Sequence, residues 1–287
     1  MYLVTGATGN VGSEVASQLV ERGHPVRTFT RHPEKLGTWS KHADVVIGDF
    51  QNPETLTRAM EGVDAVFLMS QGPDVESFRR IVQAIKAAGG NRVVFLSSIL
   101  AGQPEYEIGR LHLAKEEAIR EAGLTAKFLR AAGFMTNSYQ WIGTINDQGK
   151  VYNALGDAKF PPVSGEDIAA VAVRALTDPK LAGEVFELTG GGLISVPEEV
   201  KILGKILGRE LRCVDIPVEV AIQNMVRSGL PQKMAEAVGQ SLGSVRNGRP
   251  VAVLDTVEKV TVRSPMTYET WARKHAARFA PTLTHRG

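Results

Sequence analysis

A chain of 287 residues, 43% hydrophobic and 22% charged, is long enough to bury a large core and enclose a ligand crevice, and its balance excludes a disordered or fibrous protein. The 33 Lys and Arg residues nearly cancel the 31 Asp and Glu residues, leaving +2 with no basic run, which argues against nucleic acid as a partner. The single cysteine, Cys213, leaves no internal disulfide or cysteine-built zinc site and is expected to be buried and inert; the six histidines are scattered without ligand spacing, so no metal is expected.

From the amino end, short apolar runs alternate with helical patterns, the signature of βαβ units feeding a parallel sheet. The predicted strands are Tyr2 to Thr5, Val26 to Thr30, Val45 to Ile47, Ala65 to Met69, Arg92 to Ser97, Thr125 to Leu129 and Val185 to Leu188. Several are apolar throughout, as strands covered on both faces must be. Gly23, Gly89 and Gly123 close helices between them, and Ser164 with Asp167 and Ser195 with Glu198 read as capping boxes. This alternation predicts an α/β fold with a doubly wound Rossmann sheet, its ligand crevice at the carboxyl ends of the strands. After about Tyr139 the pattern loosens into helices, a strand near Leu211 to Asp215 and a closing helix near Thr267 to Phe279. The expected organisation is a Rossmann domain over 1–150 and, mainly over 151–287, a smaller α/β substrate lobe. The boundary is expected near Asp147 to Tyr152, with the helix from Gly165 returning to the sheet. The first strand begins at Tyr2 and no apolar run approaches the roughly 20 residues of a membrane span, so a cytoplasmic protein with no signal peptide is expected.

The opening VTGATGNVGSEVASQLVERG places Gly6, Gly9 and Gly12 between a strand and an amphipathic helix built on Val11, Val15, Leu19 and Val20. Gly6 permits a tight turn, Gly9 lets the backbone approach a pyrophosphate, and Gly12 lets helix pack on strand, with phosphate at the positive end of the helix near Asn10 and Val11. Thr8 and Asn10 offer side-chain hydrogen bonds. Dinucleotide sites that prefer NAD carry a carboxylate about 20 residues beyond the glycines. Here the stretch is Thr30-Arg31-His32-Pro33-Glu34-Lys35, in which Arg31 and Lys35 suit a 2′-phosphate, so NADP(H) is expected over NAD(H) despite Glu34. Asp49 and Phe50, after the third strand, are expected to frame the adenine. Met69, Ser70 and Gln71 end the fourth strand and are expected to flank the cofactor.

On the helix after the fifth strand, short-chain dehydrogenases carry Tyr-x-x-x-Lys, the tyrosine moving the proton. The matching residues are Leu111-His112-Leu113-Ala114-Lys115, so the lysine place is kept and the proton-transferring residue is not. Hydride addition to a simple ketone leaves an alkoxide about as basic as hydroxide, whereas a quinone leaves a phenolate of pKa about 10. That difference of about 6 units is on the order of 8 kcal/mol supplied by the acceptor's own conjugation. A site lacking the tyrosine therefore suits quinones, azo dyes and similar small aromatic acceptors, leaving the protein to orient the acceptor and exclude water. Lys115, His112 and Tyr139, with Tyr106, are the side chains left to assist.

With TGATGNVG, the Arg31 to Lys35 stretch, Ser97-Ser98, His112 before Lys115, LRAAGFMTN ending at Asn137, Gly156-Asp157-Ala158-Lys159 and Gly229-Leu230-Pro231, the chain resembles the NmrA-like branch of atypical short-chain dehydrogenases nearly end to end. The likeness is strongest to NADPH:quinone oxidoreductases and dye reductases. The resemblance implies that Phe134 lies beside the nicotinamide, that Phe134, Met135, Asn137 and Ser98 shape the acceptor pocket, and that Ser97 and Lys115 touch the cofactor. Related folds suggest a homodimer. The same branch contains non-catalytic NADP(H)-sensing regulators that bind a protein partner, which stands as the alternative reading.

Overall fold

The computed structural model describes residues 1–69 and 74–280. In chain order its elements are β1 (Tyr2–Thr5), α1 (Asn10–Glu21), β2 (Val26–Thr30), β3 (Asp44–Ile47), α2 (Pro53–Met60), β4 (Ala65–Met69), α3 (Val75–Ala87), β5 (Arg92–Ser98), α4 (Glu107–Glu121) and β6 (Thr125–Ala131). There follow α5 (Ile142–Gln148), β7 (Lys150–Asn153), β8 (Lys159–Phe160), α6 (Gly165–Thr177), β9 (Val185–Leu188), β10 (Ile194–Ser195), α7 (Val196–Leu207) and β11 (Arg212–Asp215). The last are α8 (Val218–Arg227), α9 (Gln232–Arg246), α10 (Thr256–Thr261) and α11 (Tyr268–His275). All seven predicted core strands form, with β5 and β6 running one and two residues further than expected. Contacts divide the chain into two compact units.

The first unit comprises Met1–Ala132, Gly165–Leu188 and Asp255–Arg263. Its seven strands are parallel in the order β3-β2-β1-β4-β5-β6-β9, the doubly wound arrangement expected. The order reverses between β1 and β4, and there the buried Thr5 hydroxyl donates to the Phe67 carbonyl at 3.0 Å and accepts from the Met69 N–H at 3.0 Å, tying the two strands where the crevice opens. One apolar core joins Leu3, Val66, Leu68, Phe78, Phe95, Ile119 and Phe128. α6 returns to this unit and packs on α1, its Ala- and Val-rich turns almost wholly buried because small side chains admit close approach. α10 returns as well, held by Arg263 donating to Asp167 at 3.1 Å. Nothing in its short polar sequence announces that return.

The second unit comprises Gly133–Ser164, Thr189–Leu254 and the chain from Ser264. It therefore begins ahead of the Asp147 to Tyr152 boundary expected from the sequence, because Met135, Trp141 and Ile145 pack with Val200, Leu203, Trp271 and Phe279 in this unit's own core. Ser195 and Glu198 form the expected capping box on α7. Parallel β7 and β11, and antiparallel β8 and β10, make two small sheets. Cys213 is half-buried rather than interior: one side meets the core, and the other lines a cavity of about 540 Å³ with Asn153, Asp157 and Arg246. Burial raises its thiol pKa, consistent with an inert residue.

The C-cap of α10 carries backbone strain. Val262 sits in the left-handed region at φ 57°, ψ 32°, and its side chain is 91% exposed. A β-branched residue there costs about 1 to 2 kcal/mol and nothing buried repays it. Val262→Gly is expected to stabilise the chain by about 1 kcal/mol in urea unfolding, after the added freedom of glycine in the unfolded state; a loss of stability would show that the strain is absent.

Candidate active site

The turn from β1 into α1 is the first part of the site. Gly6 holds φ +66°, the left-handed region that favours glycine, and a Cβ on it would press on the flexible Met69 side chain, 2.7 Å from its sulfur. A Cβ on Gly12 would meet the Gly6 carbonyl oxygen at 2.2 Å. Gly9 is the N-cap, brings no side-chain oxygen to cap the helix, and donates its own N–H to the Gly6 carbonyl at 2.9 Å. Thr8, Gly9 and Asn10 are exposed while Val11 is buried in the helix face, and the first turn of α1 holds no acidic residue. An uncapped helix end with a bare-backbone approach and no carboxylate fits a phosphate group. Gly165, opening α6, lies beside this end of α1, and a Cβ there would make ordinary contact with the Asn10 carbonyl oxygen at 3.5 Å.

At the ends of β2 and β3, Arg31 and Lys35 are exposed as a phosphate contact requires. Glu34 is held by the His32 ring at 3.1 Å. Phe50 packs on Phe29 with ring centroids 5.1 Å apart, presenting an aromatic wall beside the half-exposed Asp49. Trp39, which sequence reasoning passed over, donates from Nε1 to the Ser13 hydroxyl at 3.2 Å and closes this side of α1. Ser70 and Gln71 lie outside the described residues.

α4 supplies the third part. Lys115 is 3% exposed with its ammonium 5.7 Å from the Phe78 ring centroid. Burial pushes its pKa down to about 8 while the Asp74 charge opposes that shift. His112 lies one turn earlier beside Phe95, and its Nδ1 is buried without a hydrogen-bond partner. Burial, helped by the Lys115 charge, pushes its pKa down to about 4, so the ring is neutral near pH 7. Leu111, just before His112 on the same helix, is half-buried. Ser98 accepts from the Leu100 N–H at 3.2 Å.

Next to Lys115, the fully buried Glu116 accepts from Arg130 at 2.9 and 2.7 Å and from Ser97 at 2.6 Å. Ser97 thus spends its one proton inside the protein, and any contact it makes with a ligand is as an acceptor. Removing Arg130 leaves the buried Glu116 with only the half-exposed Arg120, 3.6 Å away, in place of two direct hydrogen bonds. Arg130→Met is expected to cost about 3 to 5 kcal/mol in denaturant unfolding, with Glu116→Leu added to it restoring most of the loss; a single variant as stable as the parent would contradict the burial of this carboxylate.

Residues 6–179 match the family described as NAD(P)H-binding. The chain belongs to this family. Within it, the chain is 37% identical to the (4-alkanoyl-5-oxo-2,5-dihydrofuran-3-yl)methyl phosphate reductase of Streptomyces griseus, over 98% of this chain and 100% of that protein. It is 34% identical to the NAD(P)H azoreductase of Xenophilus azovorans, over 97% and 99% of the two. The fold is shared with the NADPH-dependent quinone oxidoreductase of Escherichia coli solved with NADPH, at TM-score 0.81 and 23% identity over 96% and 99% of the two chains. These relatives bear out the NmrA-like resemblance drawn from the motifs.

In this NAD(P)H-binding chain the remaining expected site residues belong to the second unit. Phe134 is half-buried and bridges to Val163, Met135 is 2% exposed in the core, and Asn137 is exposed. The Tyr139 ring packs among Trp271, His275 and Phe279 under the Arg278 guanidinium. The structure therefore gives Met135 and the Tyr139 ring packing partners of their own. Two groups here escaped sequence reasoning. Tyr268 shares a 2.7 Å hydrogen bond with Ser138, and Glu199 is 3% exposed with its pKa pushed up to about 8 by burial. The signal for Glu199 was its spacing, since Val196, Val200 and Leu203 place it on the apolar face of α7.

Among the described residues no group of His, Cys, Asp and Glu side chains is arranged to hold a metal ion, and no helix is long and apolar enough to cross a membrane.

Proposed function

We propose that the chain is an NADPH-dependent reductase that passes hydride to a conjugated acceptor of the quinone or azo-dye kind without a catalytic tyrosine. The observation that carries this reading is the composition of α4, where Leu111 replaces the proton carrier, His112 is neutral and Lys115 is a buried cation of lowered pKa. The dinucleotide, when bound, supplies the hydride. Gly6, Thr8, Gly9, Asn10 and Val11 receive its pyrophosphate, Arg31 and Lys35 the 2′-phosphate, and Asp49 and Phe50 the adenine. Met69, Ser97 and Lys115 line the nicotinamide half, Lys115 holding the ribose. On the family resemblance Ser98, Phe134 and Asn137 orient the acceptor, Met135 being spent in the core, and positioning rather than acid catalysis carries the rate.

The acceptors in the relatives' names support this choice. A quinone and an azo group are conjugated, and the phosphate reductase is named for a ring alkene that bears two carbonyl groups. In each, hydride addition yields an anion that is delocalised without outside help. The test is anaerobic loss of NADPH absorbance with quinones, azo dyes and simple ketones. Turnover of the conjugated acceptors alone is expected, with Leu111→Tyr acquiring ketone reduction. Tight NADPH binding with no turnover of any acceptor would replace this reading with that of a redox sensor.

A further inference from the structure

The ends of β2 and β3 carry a charge pair that bears on cofactor choice. Thr30 pairs in register with Ile47, which brings Arg31 and Asp49 to the same edge of the crevice. The Asp49 carboxylate is anchored at one oxygen by the Gln51 N–H at 3.0 Å, while its other oxygen lies 3.7 Å from Nη1 of Arg31. The Asp49 backbone carbonyl is also tied down, accepting from Asn52 N–H at 2.9 Å and from the Thr55 hydroxyl at 3.2 Å. The carboxylate is therefore built into a fixed turn. The other carboxylate of this loop, Glu34, is taken up by His32, which leaves Asp49 as the acidic group paired with the arginine.

We propose that Asp49 is a specificity-determining residue that moderates the preference for NADPH over NADH by competing with a 2′-phosphate for the Arg31 guanidinium. The inference rests on the dinucleotide reading of the site. A guanidinium already engaged by a carboxylate must exchange that partner for the incoming phosphate, so the gain on binding is the difference between two ion pairs rather than one whole pair. NADH brings no second anion to this edge and is indifferent to the exchange. The pair is half-exposed, 58% at Arg31 and 38% at Asp49, so the competition is modest and is screened by salt. The chain should therefore use both cofactors, with NADPH ahead.

The test is the ratio of NADH to NADPH dissociation constants, read from dihydronicotinamide fluorescence on the full chain. Asp49→Asn keeps an acceptor for the Gln51 N–H and should raise the ratio about fivefold through tighter NADPH binding, an effect that fades in 0.5 M salt. Asp49→Ser, which keeps the same turn contact, should behave alike. Arg31→Ala should weaken NADPH at least tenfold and leave NADH in place, and Asp49→Asn added to it should then change nothing. An unchanged ratio, equal weakening of both cofactors, or an Asp49→Asn effect undiminished without Arg31 would each overturn the proposal. Failure of the unaltered chain to bind either cofactor would overturn the dinucleotide reading itself, and is distinct from those three results.

Discussion

Gly9→Ala is expected to reduce NADPH affinity at least a hundredfold while leaving the melting temperature of the free chain nearly unchanged. Gly9 has φ −95°, ψ 172°, a conformation open to alanine, and an added Cβ meets only the Gly6 carbonyl oxygen at 3.3 Å. The methyl group needs the Gly6 carbonyl to give by only a few tenths of an ångström and costs little folding stability, yet it stands on the exposed approach to the amino end of α1, where phosphate must reach backbone N–H groups. Gly12→Ala is the contrasting variant. Its Cβ would lie 2.2 and 2.6 Å from the Gly6 carbonyl oxygen and carbon and 3.0 Å from the Thr5 carbonyl, all backbone atoms that cannot swing aside. That variant should lose both cofactor affinity and stability, the latter by more than about 3 kcal/mol. The pair separates a binding role from a packing role within one loop, and undiminished NADPH affinity in Gly9→Ala would remove the loop from the site.

Glu199→Gln is expected to stabilise the second unit strongly in neutral and alkaline solution and hardly at all in acid. The folded pKa is raised from 4.5 to about 8 by burial, so the unfolded chain releases this proton first. The stability that goes with the neutral carboxyl is complete below pH 4.5 and is lost as pH rises through about 8. At pH 7 the accumulated loss is on the order of 3 kcal/mol at 1.36 kcal/mol per unit, and glutamine escapes it. Urea unfolding at pH 4.5 and pH 8, followed through the buried Trp141 and Trp271, measures the difference. Equal stabilities of parent and variant at pH 8 would show that the carboxylate reaches water.

The nucleotide half of the fold was legible because its signals are local. The β1 to α1 turn, the helix-closing glycines and the apolar strands are each written within a few consecutive residues, and strand order follows from right-handed crossovers. What escaped lies in contacts between distant residues. Glu116 is read correctly only when Arg130 and Ser97 are seen to meet it, and Asp49 only when the register of β2 with β3 brings it to Arg31. The return of α10 depends on Arg263 reaching Asp167 across 96 residues. The early start of the second unit has the same origin, since Met135 and Trp141 owe their burial to Trp271 and Phe279 at the other end of the chain.

Of the expected site residues, Thr8, Gly9 and Asn10 are exposed at the amino end of α1 and Lys115 is buried on α4, positions that follow from glycine geometry and from the spacing of a helix face. His112 was legible as a residue but not as a charge state. Its neutrality depends on burial beside Phe95 and on the neighbouring ammonium, neither of which its flanking residues reveal. The same neutrality strengthens the argument for acceptors that stabilise their own product anion.

Calorimetric titration of the whole chain with NADPH, and then with NADH, bears most directly on this account. One binding event per chain is expected with each, tighter for NADPH, and NADPH binding at least a hundredfold weaker after Gly9→Ala. Heat from neither dinucleotide, or equal heats from the parent and from Gly9→Ala, would contradict it.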